Sequence, residues 1–235
     1  MASPLSSLPS GFGATVASLH RVAAAIVAPA RKPDNEIALE VTPGGFGTPE
    51  FEFGDVRQQV RVEGAELVHI FDGEERRAPL TSLAAAASVV PELLPPEAAL
   101  GDQPLDVDPD AAAALAVWYR FGDEVLRALA GTASADDGAT APILWPEHFD
   151  VAIELGSETA GERATYGFSP GDDNHAEPYA YVAPWRQGVE GELWNAVGFG
   201  GAELGYAELL TAADPRAAAL DFIQTRRRAL APDAT

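Results

Sequence analysis

Apolar residues recur along this chain in two periods, and the switches between them lay out its elements. Leu19, Val22, Ala23 and Ile26 stand at helical spacing and predict a helix over about 15–28, stopped by Pro29 and Pro33. Short runs with strand character follow at 37–41, 50–53, 56–62 and 66–71, separated by a loop over 42–49 and by turns at Gly54, Gly64 and Gly73. The run 56–62 alternates only if one frame shift is allowed, which predicts a bulge there. Thr81 or Ser82 then caps a second helix reaching about Leu94, interrupted by Pro91 and closed by Pro95-Pro96. After a linker with a short strand candidate at 105–107, Asp108-Pro109 supplies an N-cap and a first-turn proline. The helix it opens has the clearest stripe in the chain, Leu115, Trp118, Val125, Leu126 and Leu129, with Gly131 as its stop.

The later part repeats this order. Residues 149–155 alternate strictly, which places Phe149, Val151, Ile153 and Leu155 on a buried face. Strands are expected at 164–168, 179–183 and 193–199, with a short segment at 205–210. Asp214-Pro215 repeats the capping pair ahead of a last helix ending near Leu230. The strings IALEV at 37–41 and VAIEL at 151–155 open corresponding positions. The expected fold is therefore α+β: two pseudo-repeated αββββα halves, mostly antiparallel sheet with helices packed on it. The halves cover 15–94 and 109–230, joined by a linker at 95–108 and flanked by tails at 1–14 and 231–235.

Charge narrows the partners. A formal charge of −21 opposes phosphate backbones and anionic lipid, so neither nucleic acid nor a membrane surface is expected. The one basic run, Arg226-Arg227-Arg228, falls near the end of the last helix, where cations complement the helix dipole. With no cysteine, disulfides, thiolate catalysis and cysteine-held metals are excluded. Alanine, glycine and proline are abundant and the basic residues are almost all arginine, a composition typical of GC-rich bacterial genomes. VAAAIVAPA at 22–30 imitates a signal-peptidase site, but no positive charge precedes Arg21, and His20-Arg21 splits the apolar segment. A cytoplasmic protein is expected.

The Leu19-His20 pair, FDVAIE at 149–154, YGFSPG at 166–171, PYAYVAPW at 178–185 and ADPRAAALDFIQ at 213–224 together resemble domain-of-unknown-function family 5996, a bacterial family. The resemblance runs over nearly the whole chain, and its Ser-Pro-Gly and Pro-Tyr-x-Tyr pieces are the most specific. Longer members carry a His-Trp-Trp before the first strand and a His-Glu pair before the Ser-Pro-Gly turn. Here those places read KPDNE and GERAT, so nothing resting on those residues carries over. The resemblance implies a fold and no activity.

Candidate chemistry gathers between Trp145 and Trp185. Gly167-Phe168-Ser169-Pro170-Gly171 matches the G-x-S-x-G nucleophile elbow in letters, but Pro170 has no N–H for an oxyanion and no histidine follows position 175. A type II turn, with Pro170 and Gly171 at its centre, fits better. Asp172-Asp173-Asn174 fails the EF-hand pattern at its sixth and twelfth positions, Glu177 and Ala183. The glycine clusters at 44–47 and 198–201 miss the dinucleotide fingerprint and read as tight turns, so no nucleotide cofactor is implied. His148 and Asp150, two apart on an expected strand, share the face opposite Phe149, with Cα atoms about 6.6 Å apart. If the 169–178 loop folds over that face, Asp172, His175 and Glu177 join them, and Tyr179 and Tyr181 wall the site. Such a two-histidine, carboxylate-rich set suits Zn, Mn or Fe. A metal-free polar pocket for a small molecule and purely structural roles are the alternatives. His20 and His69 lie in apolar runs and read as structural. Two functions follow: a small-molecule-binding protein or enzyme centred on 145–185, or a non-catalytic interaction protein with an acidic surface.

Overall fold

In the computed structural model, which describes residues 5–34, 36–95 and 100–231, the chain is α+β with antiparallel sheets and helices packed on them. Its contacts divide it into two units.

One unit comprises residues 8–117 and 143–149. Helix α1 (Phe12–Val22) buries Phe12, Thr15 and Ser18 besides Leu19 and Val22 of the predicted stripe, whose Ala23 and Ile26 are buried just beyond its end. It runs on into a π-helical turn, Ala23–Val27, in which the Ala28 N–H donates to the Ala23 carbonyl at 2.9 Å. The stretch Phe12–Arg31 has the length and composition to cross a membrane, the one such stretch among the described residues, and more than half of it is buried within the protein. Strands β1 (Glu40–Thr42), β2 (Gly45–Gly47), β3 (Phe51–Phe53), β4 (Val56–Glu63), β5 (Glu66–Phe71) and β6 (Glu74–Pro79) form a sheet ordered β1-β2-β4-β5-β6, with β3 also on β4. The pairing of β4 with β5 sets Val60 opposite His69 and Val62 opposite Leu67, all four buried. Helix α2 (Leu83–Ala87) is capped by Ser82, whose hydroxyl accepts the Ala85 N–H at 3.1 Å. Residues beyond 100 are tied to α1, because the Ser18 and Thr15 hydroxyls accept the N–H groups of Asp106 and Asp108 at 2.9 and 3.0 Å.

The other unit holds residues 1–7, 118–142 and 150–235, of which 5–7, 118–142 and 150–231 are described. Strands β8 (Asp150–Leu155), β9 (Ala164–Ser169), β10 (Tyr179–Pro184) and β11 (Ala202–Gly205) make an antiparallel meander in the order β11-β10-β9-β8; β7 (Ile143–Trp145) precedes it in the chain and belongs to the first unit. Helix α3 (Pro109–Ala130) passes from one unit into the other, with the Asp108 carboxylate accepting the Ala111 N–H at its start. Helices α4 (Tyr206–Thr211) and α5 (Pro215–Leu230) follow β11, and Asp214 caps α5 as expected.

Register decides which face of this sheet is apolar. Val151, Ile153 and Leu155 pair with Phe168, Tyr166 and Ala164, and Phe168 and Tyr166 pair onward with Ala180 and Val182. That face is buried throughout. Trp118 and Phe121 of α3 pack on Phe168 with ring centroids 5.4 and 5.8 Å away. The opposite face carries Asp150, Ala152, Gly167, Ser169, Tyr179, Tyr181 and Glu203.

Several sequence expectations need correction. The halves hold β1–β6 and β7–β11 among the described residues, where four strands each were expected, so the αββββα count does not stand. Two causes are visible. The 42–49 loop contains β2, whose glycines lie so close to β4 that a Cβ at Gly45 would sit 2.4 Å from the Val62 carbonyl oxygen and one at Gly47 2.5 Å from Arg61 Cβ. β6 reads EERRAP, with no apolar alternation to betray it; it forms because β5 offers a partner. Residues 193–199 form no strand, and 206–211 are helical. The expected tail is tied down from residue 5: Leu5 is buried, and Tyr206 donates to the Ser6 carbonyl at 2.7 Å. The tail residues 1–4 and 232–235 lie outside the described residues.

Candidate functional site

On the polar face of the β8–β11 sheet, the sequence places a glycine where a long side chain must cross. Tyr181 pairs with Gly167, and a Cβ at Gly167 would meet the Tyr181 ring at 2.5 Å. The bare backbone lets the ring lie across β9, so its hydroxyl donates to the Asp150 carboxylate, two residues along β8 from the pair partner Ala152. Asp150 is 4% exposed, and the charge makes itself felt on nearby phenols. Burial first, then Asp150, pushes the Tyr119 and Tyr181 pKa values well above the ordinary one.

A second network lies beside it. Gly171 takes φ 106, as the turn reading requires, but the turn is not closed between Ser169 and Asp172. The Ser169 carbonyl accepts the Trp118 indole N–H at 2.9 Å, and the Asp172 N–H donates to the His175 carbonyl instead. No helix starts at Ser169. The segment 172–175 closes on itself, with the N–H groups of Asn174 and His175 donating to Asp172 Oδ1. That loop conformation delivers Asp172 to two further donors: Tyr179 O–H reaches Oδ2 at 2.6 Å, and His175 Nδ1–H reaches Oδ1 at 3.0 Å. The other ring nitrogen of His175 donates to Glu203 Oε2, also at 3.0 Å, and the ring lies 4.3 Å from that of Tyr179.

The protonation state follows from these partners. Ionised carboxylates only accept, so an imidazole that meets one at each nitrogen must donate twice, which makes it an imidazolium. Partial burial works against this charge, but the bonds and charges of Asp172 and Glu203 outweigh it and raise the His175 pKa. Burial likewise opposes ionisation of Asp172, and the Tyr179, His175 and Asn174 donors reverse the balance and hold its pKa down. Tyr179 shifts upward, by burial and then by its bond to Asp172, and stays a neutral donor.

Glu203 comes from β11, opposite Tyr181, and is fixed there by Asn195. The Asn195 amide donates to the Glu203 carbonyl and accepts the Glu203 N–H, both at 3.1 Å, imitating a strand on the free edge of β11. The long segment 185–201 is thereby anchored, and Phe199 sets its edge against the Tyr181 ring, centroids 6.2 Å apart. Beside this network opens a cavity of about 330 Å³, lined among others by His175, Glu177, Tyr179, Asn195, Glu203 and Tyr206.

Of the residues expected to form a site, Asp172, His175 and Tyr179 share one network, Asp150 and Tyr181 a second, and Glu177 lies exposed at the cavity. His148 is not placed as expected. Phe149 adopts φ 55 and its N–H donates to the Trp145 carbonyl, so 146–149 is a turn and the strand frame begins only at Asp150. His148 is exposed in that turn, within the other unit, and does not share a strand face with Asp150. Phe149 packs instead in a parallel stack on His20, whose Nε2 meets the Pro146 carbonyl at 2.8 Å. Glu203, Asn195 and Tyr206 were missed. Glu203 lies on a strand of four residues, too short for alternation to show, while Asn195 sits in the 185–201 segment and Tyr206 opens α4. Among the described residues no group of three or more His, Asp or Glu side chains is arranged to hold a metal ion. In the cluster nearest that composition, carboxylates already occupy both nitrogens of His175.

A larger cavity, about 430 Å³, lies in the first unit among Ala24, Ala28, Pro29, Ile37, Pro95 and Pro146, with Glu36 and Glu147 as its charged lining. It is apolar and brings together no polar network. Comparison with protein-family models, with curated proteins and with solved structures finds no match.

Proposed function

We propose that the protein binds a small molecule in the cavity beside His175, Tyr179 and Glu203. The observation that carries this reading is the fixed network along its wall: Tyr179, Asp172, His175 and Glu203 are joined by consecutive hydrogen bonds of 2.6, 3.0 and 3.0 Å. A wall held in this way presents its groups without reorganisation on binding, which is where much of the cost of affinity otherwise falls. The cavity volume, about 330 Å³, falls at the small end of the range that ligand pockets occupy. Both nitrogens of His175 are committed, so the histidine is a poor general base, and binding is favoured over proton-transfer catalysis.

The experiment is a survey of small-molecule mixtures by two-dimensional NMR on the wild type and on Ala207→Trp. Ala207 is an exposed residue of α4 lining the cavity, and an indole there fills the space while leaving the hydrogen-bonded wall intact. Ligands are expected to shift resonances of residues 175–179 and 203–208 in the wild type and to lose those shifts in a variant of unchanged melting temperature. A survey with no shifts in these segments, or equal binding by the filled variant, overturns the reading.

A further inference from the structure

We infer that the cavity beside His175 selects a cationic amine, an inference that rests on its being a binding site at all. Donors and acceptors around its wall are unequally spent. Its side-chain donors are spent within the protein save for one N–H of Asn195. His175 gives both N–H groups to Asp172 and Glu203, Tyr179 gives its hydroxyl proton to Asp172, and Tyr206 gives its own to the Ser6 carbonyl. The Asn195 amide is turned to the backbone of Glu203. Three backbone N–H groups at the rim are engaged as well: Glu203 on Asn195, Gly205 on Glu208 Oε2 and Tyr206 on the Pro178 carbonyl.

What the wall has left to offer is acceptors. Glu203 uses one oxygen for His175 and Glu208 one for Gly205, which leaves the second oxygen of each, and the Glu177 carboxylate stands exposed at the same cavity. No arginine or lysine is among the residues lining it. His175 adds a positive charge, but Asp172 and Glu203 flank it from both sides, so the acids outweigh it. Two phenol rings, Tyr179 and Tyr206, are also among the lining residues, and such rings attract cations. A carboxylate or phosphate ligand would meet like charge and find at most the second N–H of Asn195 as a side-chain donor. An alcohol would find acceptors but forgo the charge. An ammonium or guanidinium group supplies several N–H donors and a positive charge together, and the protein's charge of −21 draws it in.

The test uses matched probes in place of the unknown ligand: 2-phenylethylammonium, 2-phenylethanol and phenylacetate, with butylammonium, butan-1-ol and butyrate as a second set. Each is titrated into the full chain at low ionic strength and followed by the resonances of residues 175–179 and 203–208. The ammonium members are expected to bind at least tenfold more tightly than the alcohols, and the carboxylates not measurably. Glu177→Gln, at an exposed position, should weaken the ammonium probes fivefold or more and leave the alcohols unchanged. Added salt at 0.3 M should weaken the ammonium probes alone. If alcohols or carboxylates bind there as well as the amines, or Glu177→Gln has no effect on the amines, the amine inference falls and the binding reading stands. If no probe of any charge perturbs these resonances while the survey above finds a ligand of another class there, the inference falls alone. If neither does, both fall.

Discussion

His69 and His175 each commit both ring nitrogens, yet their surroundings drive protonation in opposite directions. His69 lies on β5, 4% exposed, with Nδ1 donating to the Val89 carbonyl at 2.8 Å and Nε2 2.7 Å from Gln58 Oε1. Its neighbours are neutral dipoles. Burial dominates and, with Arg76 adding to it, lowers the pKa against the opposing pull of the Val89 carbonyl and Glu92. His175 meets a carboxylate at each nitrogen and its pKa rises. The difference is the charge of the partners: two neutral oxygens do not offset the cost of burying an imidazolium, while two carboxylates do. A buried histidine with neutral partners behaves as a piece of core. One held between acids is a salt-bridged clasp, joining the 170–178 segment to β11.

The largest expected effect comes from the core member. His69→Ala removes a buried ring and leaves the Val89 carbonyl and the Gln58 amide without their partner, so it should lower unfolding stability by about 3 kcal/mol. Urea denaturation with an unchanged m-value reads this directly. A loss under 1 kcal/mol would mean that the site repacks, and His69 would no longer serve as the core reference in the comparison.

Next comes the buried acid beneath the clasp. In Tyr181→Phe the Asp150 carboxylate loses the phenol donor that reaches it across Gly167, at a cost of about 2 kcal/mol for a hydrogen bond to a charged group. Urea denaturation is again the measurement. Asp172 and His175 do not contact that phenol, so the His175 imidazole C–H resonance should titrate as in the wild type. A shifted His175 titration would show that the two networks act as one.

How much of this was legible in the sequence depends on where each signal lay. The helices carried theirs locally: Asp108-Pro109 and Asp214-Pro215 mark starts, and the stripe from Leu115 to Leu129 is buried at every position read. Strands β4, β5, β8, β9 and β10 showed in alternation or β-branched runs. β6 and β11 did not, because one is charged over its first four residues and the other has only four; both exist by virtue of the strand beside them. The candidate site divided the same way. Asp172, His175, Tyr179 and Tyr181 were readable as polar groups clustered in one stretch. Glu203 arrives from 28 residues beyond His175 through the register of β11 on β10. His148 was misplaced because strict alternation from Phe149 onward looked like strand, and only the backbone reveals that Phe149 turns to φ 55 and resets the frame.

The smallest effect is also the one that tests the comparison itself, since it depends on the sign of each shift. His175 has a folded pKa above its ordinary 6.5, so its contribution to stability is complete below 6.5 and fades as pH rises through the folded value. Asp172 has a folded pKa below 3.8, so its contribution is complete above 3.8 and fades as pH falls through the folded value. The clasp is therefore at full strength between those two pH values. His69 runs the other way: with a folded pKa below 6.5, its contribution is complete above 6.5 and declines as pH falls and the unfolded chain takes up the proton. His175→Gln should thus be less stable than the wild type near pH 5.5, by less than either substitution above, because the clasp is partly open to solvent and screened. That deficit should shrink as the pH is raised through 7 and beyond. The deficit of His69→Ala should instead shrink as the pH is lowered below 6.5. Melting temperatures of the three proteins from pH 5 to 9, with imidazole C–H titrations of the wild type, measure both trends. Deficits that move in the same direction, or a His175 ring titrating below His69, would show that the carboxylates do not set the charge of His175, and the opposition between the two histidines would be lost.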